Sequence, residues 1–361
     1  GIAMIIDSNA ECFAGVEQGI LDQAEAETLT EFSLQALKAL APVLDRRRDS
    51  GRVRHCHGDL HLRNICIVEG RPTLFDAIEF NDAFATIDVL YDLAFLLMDL
   101  DHRGLRRLAN IVFNRYLDVT GNGTGEAGGL RVMALFLSMR AAIRSHVDAA
   151  QAQTLSDREK ARAEESNDYL NMALNYLAPE APRLIAVGGL SGSGKSRMAR
   201  ELAPFLGVAP GARVVRSDST RKRLAGVPLT RRLGNQGYLA EMTERTFEAL
   251  YEEALAALRA GQSVLADAVF AKPESRRAIE RVADKAGVPF TGLWLEAPAE
   301  IMARRVTERQ RNVSDADAKI LGQQLTYDLG EIEWFRIDSS GPRQETLKAG
   351  LGLIGLETGV A

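Results

Sequence analysis

Cysteine is scarce: Cys12, Cys56 and Cys66 are the three in 361 residues, and no two of them form a C-x-x-C pair. That excludes a disulfide framework and a cysteine zinc site, and it predicts reduced thiols in a cytoplasmic protein. No apolar run reaches the roughly 18 residues that a membrane-crossing helix needs, and no signal-peptide pattern opens the chain. An excess of positive charge is also missing. With 44 Lys+Arg against 49 Asp+Glu the net charge is −5, which argues against a broad nucleic-acid surface, because phosphate backbones bind basic faces. Internal repeats and low-complexity tracts are absent. So is an initiating Met, and the opening GIAMIIDSNAECF reads as the middle of a longer protein.

What is present is ordinary globular composition, 46% hydrophobic and 26% charged, at a length that suggests two or three domains. Residues 26–48 carry the helical period, with Leu29, Phe32, Leu37, Leu40 and Leu44 on one stripe. Arg46, Arg47 and Arg48 are expected as a solvated last turn that complements the helix dipole. Residues 86–118 and 129–178 are expected to be helical throughout, with GNGTGEAGG between them. LAPEAPR at 177–183 is the expected linker, since Pro182 cannot continue a helix. Beyond it the short apolar runs LIAVGG, ARVVRSD, SVLADAVF and FTGLWLEA alternate with helical stretches, the pattern of a parallel sheet wrapped by helices. The expected domains are 1–178, mostly helical, and 179–361, α/β.

The strongest motif is GLSGSGKS, which fits G-x-x-x-x-G-K-[ST] after the strand RLIAV and before the helix SRMARELAPFL. Backbone N–H groups from Gly189, Leu190, Ser191, Gly192, Ser193 and Gly194 would cradle the β-phosphate of ATP. Lys195 would bridge the β- and γ-phosphates, and the Ser196 hydroxyl would ligate Mg²⁺. RSDSTRKR places Asp218 at a strand end, where it would take the proton of an attacking hydroxyl, with Arg216 and Arg221 holding an anionic substrate group. Capping of the next helix is the alternative role of Asp218. Asp267, at the end of the strand that SVLADAVF provides, would hold a water on Mg²⁺. IMARRVTERQRNVSDAD is expected as a helical lid whose Arg304, Arg305, Arg309 and Arg311 neutralise transferring phosphate, Arg305 and Arg309 contacting the nucleotide.

On GLSGSGKS, RSDSTRKR and the arginine-bearing helix, residues 183–340 resemble the P-loop small-molecule and polynucleotide kinases, including the gluconate and shikimate types. The resemblance implies transfer of the γ-phosphate of ATP to an alcohol. The partner is then a small hydroxylated molecule, and nucleic acid only as a 5′-hydroxyl end.

RHCHGDLHLRN, residues 54–64, supplies a second theme. HGDLHLRN fits H-G-D-x-x-x-x-N and resembles the catalytic loop of aminoglycoside phosphotransferase-like enzymes, which implies Asp59 as base and Asn64 as metal ligand. The runs ICIVEG and RPTLFD are expected to form a hairpin that returns Asp76 to the neighbourhood of Asn64, a pair of oxygen donors suited to Mg²⁺. IDVLYDLAFL resembles the family's D-x-x-x-D-L-A segment, with Asp88 and Asp92 anchoring the loop. Zinc binding by His57 and His61 is disfavoured because Gly58 breaks the helix that their spacing needs. His57 is expected to bond nearby backbone, and Cys56 and Cys66 to pack as small strand residues.

Before Asp59 the single lysine is Lys38, within a helical stretch, and no glycine-rich loop occurs. Residues from about 20 to 150 therefore resemble the larger lobe of that fold alone, a protein-kinase-like C-lobe, with its nucleotide-gripping lobe expected upstream. Three functions follow. One is an ATP-dependent kinase acting through the P-loop domain. The alternative is transfer by the first half in a longer protein, the P-loop half being a regulatory ATP-binding switch. The third is a nucleotide-gated binding or switch module with no acceptor chemistry.

Overall fold

A computed structural model describes residues 1–120, 128–152, 159–178, 180–308 and 318–356. The chain divides into two units, Gly1–Phe113 with Arg131–Pro179, and Asn114–Leu130 with Glu180–Ala361.

In the first unit the helix Gln23–Asp49 begins three residues before the periodic stretch, because Asp22 caps it by accepting a hydrogen bond from the Glu25 amide at 3.1 Å. The stripe it buries is Ala26, Leu29, Ser33, Val43 and Arg47. Phe32, expected on that stripe, is instead 43% exposed, one position out of phase with the buried Ser33. Arg47 overturns the expectation of a solvated turn. It is buried and pairs bidentately with Asp88, Nε to Oδ2 at 2.6 Å and Nη2 to Oδ1 at 2.8 Å.

Four short strands follow: β1 (Val53–His55), β2 (Ile65–Val68), β3 (Arg71–Leu74) and β4 (Thr86–Asp88). β1 pairs with β4 and β2 with β3, both antiparallel. The β2–β3 turn is closed by Glu69 and Gly70, both at positive φ, the twist that a two-residue hairpin needs. Residues 86–118 are not one helix. Thr86–Asp88 pairs with β1 as a strand, Val89–His102 is helical, Gly104 at φ 70° lies in the break, and Arg106–Thr120 resumes. Of the expected loop, residues 121–127 lie outside the described residues, and Gly128–Val132 forms a 3₁₀ turn. Met133–Ala152 and Glu159–Leu177 are the last helices of this unit.

The second unit is α/β, and its sheet is parallel throughout. β5 (Leu184–Gly188), β6 (Arg213–Arg216), β7 (Val264–Asp267), β8 (Phe290–Glu296) and β9 (Phe335–Asp338) are ordered β6-β7-β5-β8-β9. β5, β6 and β7 are buried along their whole length, as expected where helices cover both faces. Four of these strands were legible as apolar runs; β9, FRID, is short, half charged and was not. From β5 the chain moves to one side for β6 and β7, then crosses to the other for β8. That switch opens a crevice at the carboxyl end of β5, where the glycine loop lies. Met198, Ala199 and Leu202 of the helix Lys195–Leu202 sink into the core formed by Ile185, Val187, Leu265 and Leu293, which fixes the direction of the helix start.

Candidate functional site

The glycine loop is shaped by its own backbone. Gly189, Gly192 and Gly194 have φ of 130°, 89° and 96°, and Gly194 is the residue that opens the helix Lys195–Leu202. At Gly192 a side chain has no room, since a Cβ would lie 2.5 Å from the Met302 carbonyl oxygen and 2.8 Å from its Cα. The loop is also tied from outside. The Ser191 amide donates to Oε1 of buried Gln324 at 2.7 Å, and Ser339 Oγ donates to the Ser193 carbonyl at 2.7 Å. Leu190 packs against the small core of Met302, Val306 and Leu321. The backbone N–H groups of Gly192, Gly194 and Ser196 find no acceptor among the described residues, the arrangement that accepts an anion at a helix start. Lys195 curls over the loop and donates from Nζ to the Leu190 carbonyl at 3.0 Å.

Arg305 lies on the helix Ala299–Thr307, which abuts this loop. It donates to the Ser339 carbonyl at 2.7 Å and reaches the Gly192 carbonyl at 3.5 Å. Burial holds its pKa below the usual guanidinium value, and the like charges of Arg197, Arg304 and Arg343 push it the same way. Arg309 and Arg311 lie outside the described residues.

At the neighbouring strand ends, Arg216 and Asp267 face each other in the β6–β7 register and pair at 3.0 Å, both buried. Burial lowers the Arg216 pKa, but Asp267 and Asp218 more than offset it, so the net direction is up. Only one edge of this guanidinium is used by Asp267, and Nη2 is buried without a partner. Asp218 is in the first turn of the helix Ser217–Leu224 but does not cap it: residue 216 is the N-cap, and no side-chain cap bond forms. It is half-buried and makes no hydrogen bond or ion pair among the described residues, while its charge acts on both Arg216 and Arg221. Arg221 is turned to the 235–243 segment, where Nη1 donates to the Gly237 carbonyl at 2.8 Å and to Thr243 Oγ1 at 3.1 Å. Burial lowers its pKa.

Sequence reasoning missed three groups here. Arg200, four residues after Ser196 and on its helix face, bonds the Ser196 carbonyl at 3.0 Å and shares the fields of Arg216 and Asp267. Its spacing was a usable signal. Gln324 and Ser339 had none, because they come from the far end of the chain.

No group of three or more His, Cys, Asp and Glu capable of holding a metal occurs among the described residues. A phosphate-loop Mg²⁺ needs less, since it is held mainly by phosphate oxygens and water. Ser196 at the helix start and the second oxygen of Asp267 fit that requirement.

The loop of the first unit is built differently. Asp92, at the start of the helix Val89–His102, accepts from the His57 amide at 3.2 Å and the Gly58 amide at 2.9 Å. Asp88 holds Arg47 and caps the same helix at the Leu90 amide, 2.8 Å away. Asp92 therefore anchors the loop as expected, whereas Asp88 holds the long helix through Arg47 and caps its own helix instead. A second anchor, Asp99, accepts from the Leu62 amide at 2.9 Å and was missed, although it lies one helical heptad after Asp92. His57 Nε2 bonds the Phe75 carbonyl at 2.9 Å, a backbone contact as expected.

Asn64 is buried and donates to Asp59 Oδ2 at 2.9 Å, while His61 Nε2 lies 3.4 Å from the same oxygen. The His61 hydrogen bond is the main cause holding the Asp59 pKa below the usual carboxylate range. Burial opposes it, and Asn64 and the buried Arg140 add to the lowering. Asp59 is thus kept ionised, with its carboxylate held by Asn64 and His61. The hairpin sets the Phe75 amide 3.1 Å from the Asn64 carbonyl, so Asp76, exposed and at φ 60°, follows directly. Arg140 had no sequence signal. It stacks 3.9 Å from the Tyr91 ring and 4.7 Å from the Phe95 ring, and only the fold brings it near Asp59.

Residues 8–135 match the family model described as the phosphotransferase enzyme family, and residues 184–327 match the one described as an AAA domain. The first match contains HGDLHLRN and the second contains GLSGSGKS, the two motifs that carry the resemblances.

Among similar proteins is an uncharacterized protein of Mycobacterium tuberculosis, 29% identical over 301 residues, 81% of this chain and 57% of that protein. The chain spans little more than half the length of such relatives. An adenylyl-sulfate kinase of Myxococcus xanthus is 30% identical over 117 residues, 32% of this chain and 59% of the relative. Among solved structures, a gluconokinase from Sinorhizobium meliloti is 22% identical with a TM-score of 0.34, covering 48% of this chain and 94% of the other. A sugar kinase from Janibacter sp. is 22% identical with a TM-score of 0.35, covering 50% and 98%. No described helix is long and apolar enough to cross a membrane.

Proposed function

We propose that the second unit is an ATP-dependent kinase that moves the γ-phosphate to a hydroxyl of a small molecule. One observation carries the reading: a glycine loop with open backbone donors and Lys195 above it, flanked by an unpaired carboxylate, Asp218, on the helix after the next strand. Gly189–Gly194 cradle the phosphates. Lys195 exchanges its bond to Leu190 for phosphate oxygens, and Arg305 adds positive charge from the adjoining helix. Mg²⁺, held by Ser196 and through water by Asp267, would supply charge neutralisation at the phosphates. Asp218 accepts the proton of the acceptor hydroxyl as the oxygen attacks. The orphaned edge of Arg216 supports an acceptor with an anionic group. Arg221 closes the 235–243 segment over that acceptor.

The test is turnover with a panel of sugar, sugar-acid and 5′-hydroxyl acceptors. Lys195→Ala should abolish ATP binding and transfer. Asp218→Asn should lower kcat by about two to four orders of magnitude while sparing ATP affinity. A near-normal rate in Asp218→Asn would remove the base assignment, and tight ATP binding with no transfer would favour a switch.

The ionised Asp59 beside Asn64 supports a second reading, transfer by the first unit in the full-length protein, with Asn64 and Asp76 toward the metal. There, activity that survives Lys195→Ala and dies with Asp59→Ala would move the chemistry to Asp59.

A further inference from the structure

Beside the Asp59 loop the first unit holds a cavity of about 190 Å³, outside the phosphate-loop site. Its walls come from the loop itself (His61, Arg63), from the end of the Val89–His102 helix and the residue after it (Phe95, Asp99, His102, Arg103), and from two later helices (Arg144, Glu165, Tyr169).

The chemistry of those walls is uneven. Asp99 is already satisfied by the Leu62 amide and by Arg103 Nε at 3.0 Å. Arg144 is held by both oxygens of Asp148 at 3.2 Å. Glu165 makes no hydrogen bond or ion pair among the described residues and leaves one negative charge on the wall, near Arg144 and His102. Two guanidinium groups keep unused donors. Arg103 spends only Nε on Asp99, and the Arg63 side chain makes no bond among the described residues. Each fork matches two oxygens of a carboxylate or phosphate.

Between them the walls are aromatic. His102 stacks on Tyr169 at 3.8 Å with the planes 14° apart, and His61 lies 5.1 Å from the Phe95 ring. Ring faces of this kind cover a carbon skeleton. The volume is small, which suits a short carbon skeleton. At one edge stands His61, 3.4 Å from Asp59 Oδ2.

We propose that this cavity binds a small alcohol carrying an anionic group, a carboxylate or a phosphate monoester, with the anion on Arg63 and Arg103 and the hydroxyl toward Asp59. The proposal rests on the second reading for its function, because the molecule bound there is the acceptor that Asp59 would deprotonate. It also reverses the charge that an aminoglycoside-like acceptor would bring.

Binding is measured by isothermal titration calorimetry without ATP, in the Lys195→Ala protein so that the phosphate loop cannot be the host. The probes are glycerate, glycerol 3-phosphate and glycerol. Both anions, or one of them, should bind at least tenfold more tightly than glycerol, and which one binds distinguishes carboxylate from phosphate. Arg63→Gln and Arg103→Gln should each weaken the anion by tenfold or more, and Asp59→Asn should leave it bound. Arg63 is exposed, so its variant keeps the test valid if loss of Arg103 unsettles Asp99. Equal affinity for glycerol and the anions, no binding of either anion, or unchanged affinity in Arg63→Gln would overturn the proposal. Because no transfer is read, these outcomes are separate from those of the Asp59→Ala activity test.

Discussion

Gly192 occupies a free position of the G-x-x-x-x-G-K-S pattern, yet the fold gives it less tolerance than Gly194, a position that the pattern fixes. Alanine at 192 would sit at φ 89°, a left-handed conformation that costs a residue with Cβ about 1–2 kcal/mol. Its Cβ would also lie 2.5 Å from the Met302 carbonyl oxygen and 2.8 Å from Met302 Cα. These are backbone atoms of the helix Ala299–Thr307, so no side chain can swing away, and the helix must shift at a further cost of about 1–3 kcal/mol. The total for Gly192→Ala is about 2–5 kcal/mol. At Gly194, φ is 96° and the nearest atom to a Cβ would be Leu295 Cδ2 at 3.7 Å, an ordinary contact, leaving only the conformational cost of about 1–2 kcal/mol. Thermal unfolding should place Gly192→Ala about 5–15 °C below wild type for a unit of this size and clearly below Gly194→Ala. ATP affinity should also fall in Gly192→Ala, because moving Met302 moves Arg305, which reaches the Gly192 carbonyl. If Gly192→Ala proved as stable as Gly194→Ala, the close approach of loop and helix would be refuted.

Other perturbations test the first unit and the loop around it. His146 is largely buried, its Nε2 3.2 Å from Asn9 Oδ1, and burial pulls its pKa down to about 4. Between pH 6.5 and 4 the unfolded chain binds a proton that the folded chain refuses, so stability falls with pH in that window and is flat above it. The expected loss is about 2 kcal/mol between pH 7 and pH 5, read by urea unfolding, and His146→Gln should remove that slope. Arg47→Ala leaves Asp88 buried without its cation, so unfolding should be easier by about 3–5 kcal/mol. Loss of less than 1 kcal/mol would mean that the pair is solvated. Asp92→Ala should cost about 3–5 kcal/mol by stranding the His57 and Gly58 amides, with increased hydrogen exchange at those two positions as the specific readout.

The sequence alone determined the elements whose signals are local. The glycine loop with its lysine is a run of eight residues whose backbone freedom and charge are written in the residues themselves. The four apolar strands are continuous because a parallel sheet is covered on both faces. The hairpin joining Asn64 to Asp76 follows from two short runs and a turn, and the anchoring Asp92 from its place in a single segment. Tertiary structure decided the partners that come from far along the chain. Arg47 looked like one of three surface arginines until Asp88, 41 residues later, was brought against it. Arg216 and Asp267 each looked available to a ligand, and the β6–β7 register pairs them with each other. Gln324 and Ser339 hold the glycine loop from the far end of the chain, and Arg140 charges the surroundings of Asp59 from another helix. The physical reason is the same in each case. Backbone conformation and hydrophobic period depend on near neighbours, whereas the pairing of a buried charge depends on which distant group the packed core sets beside it.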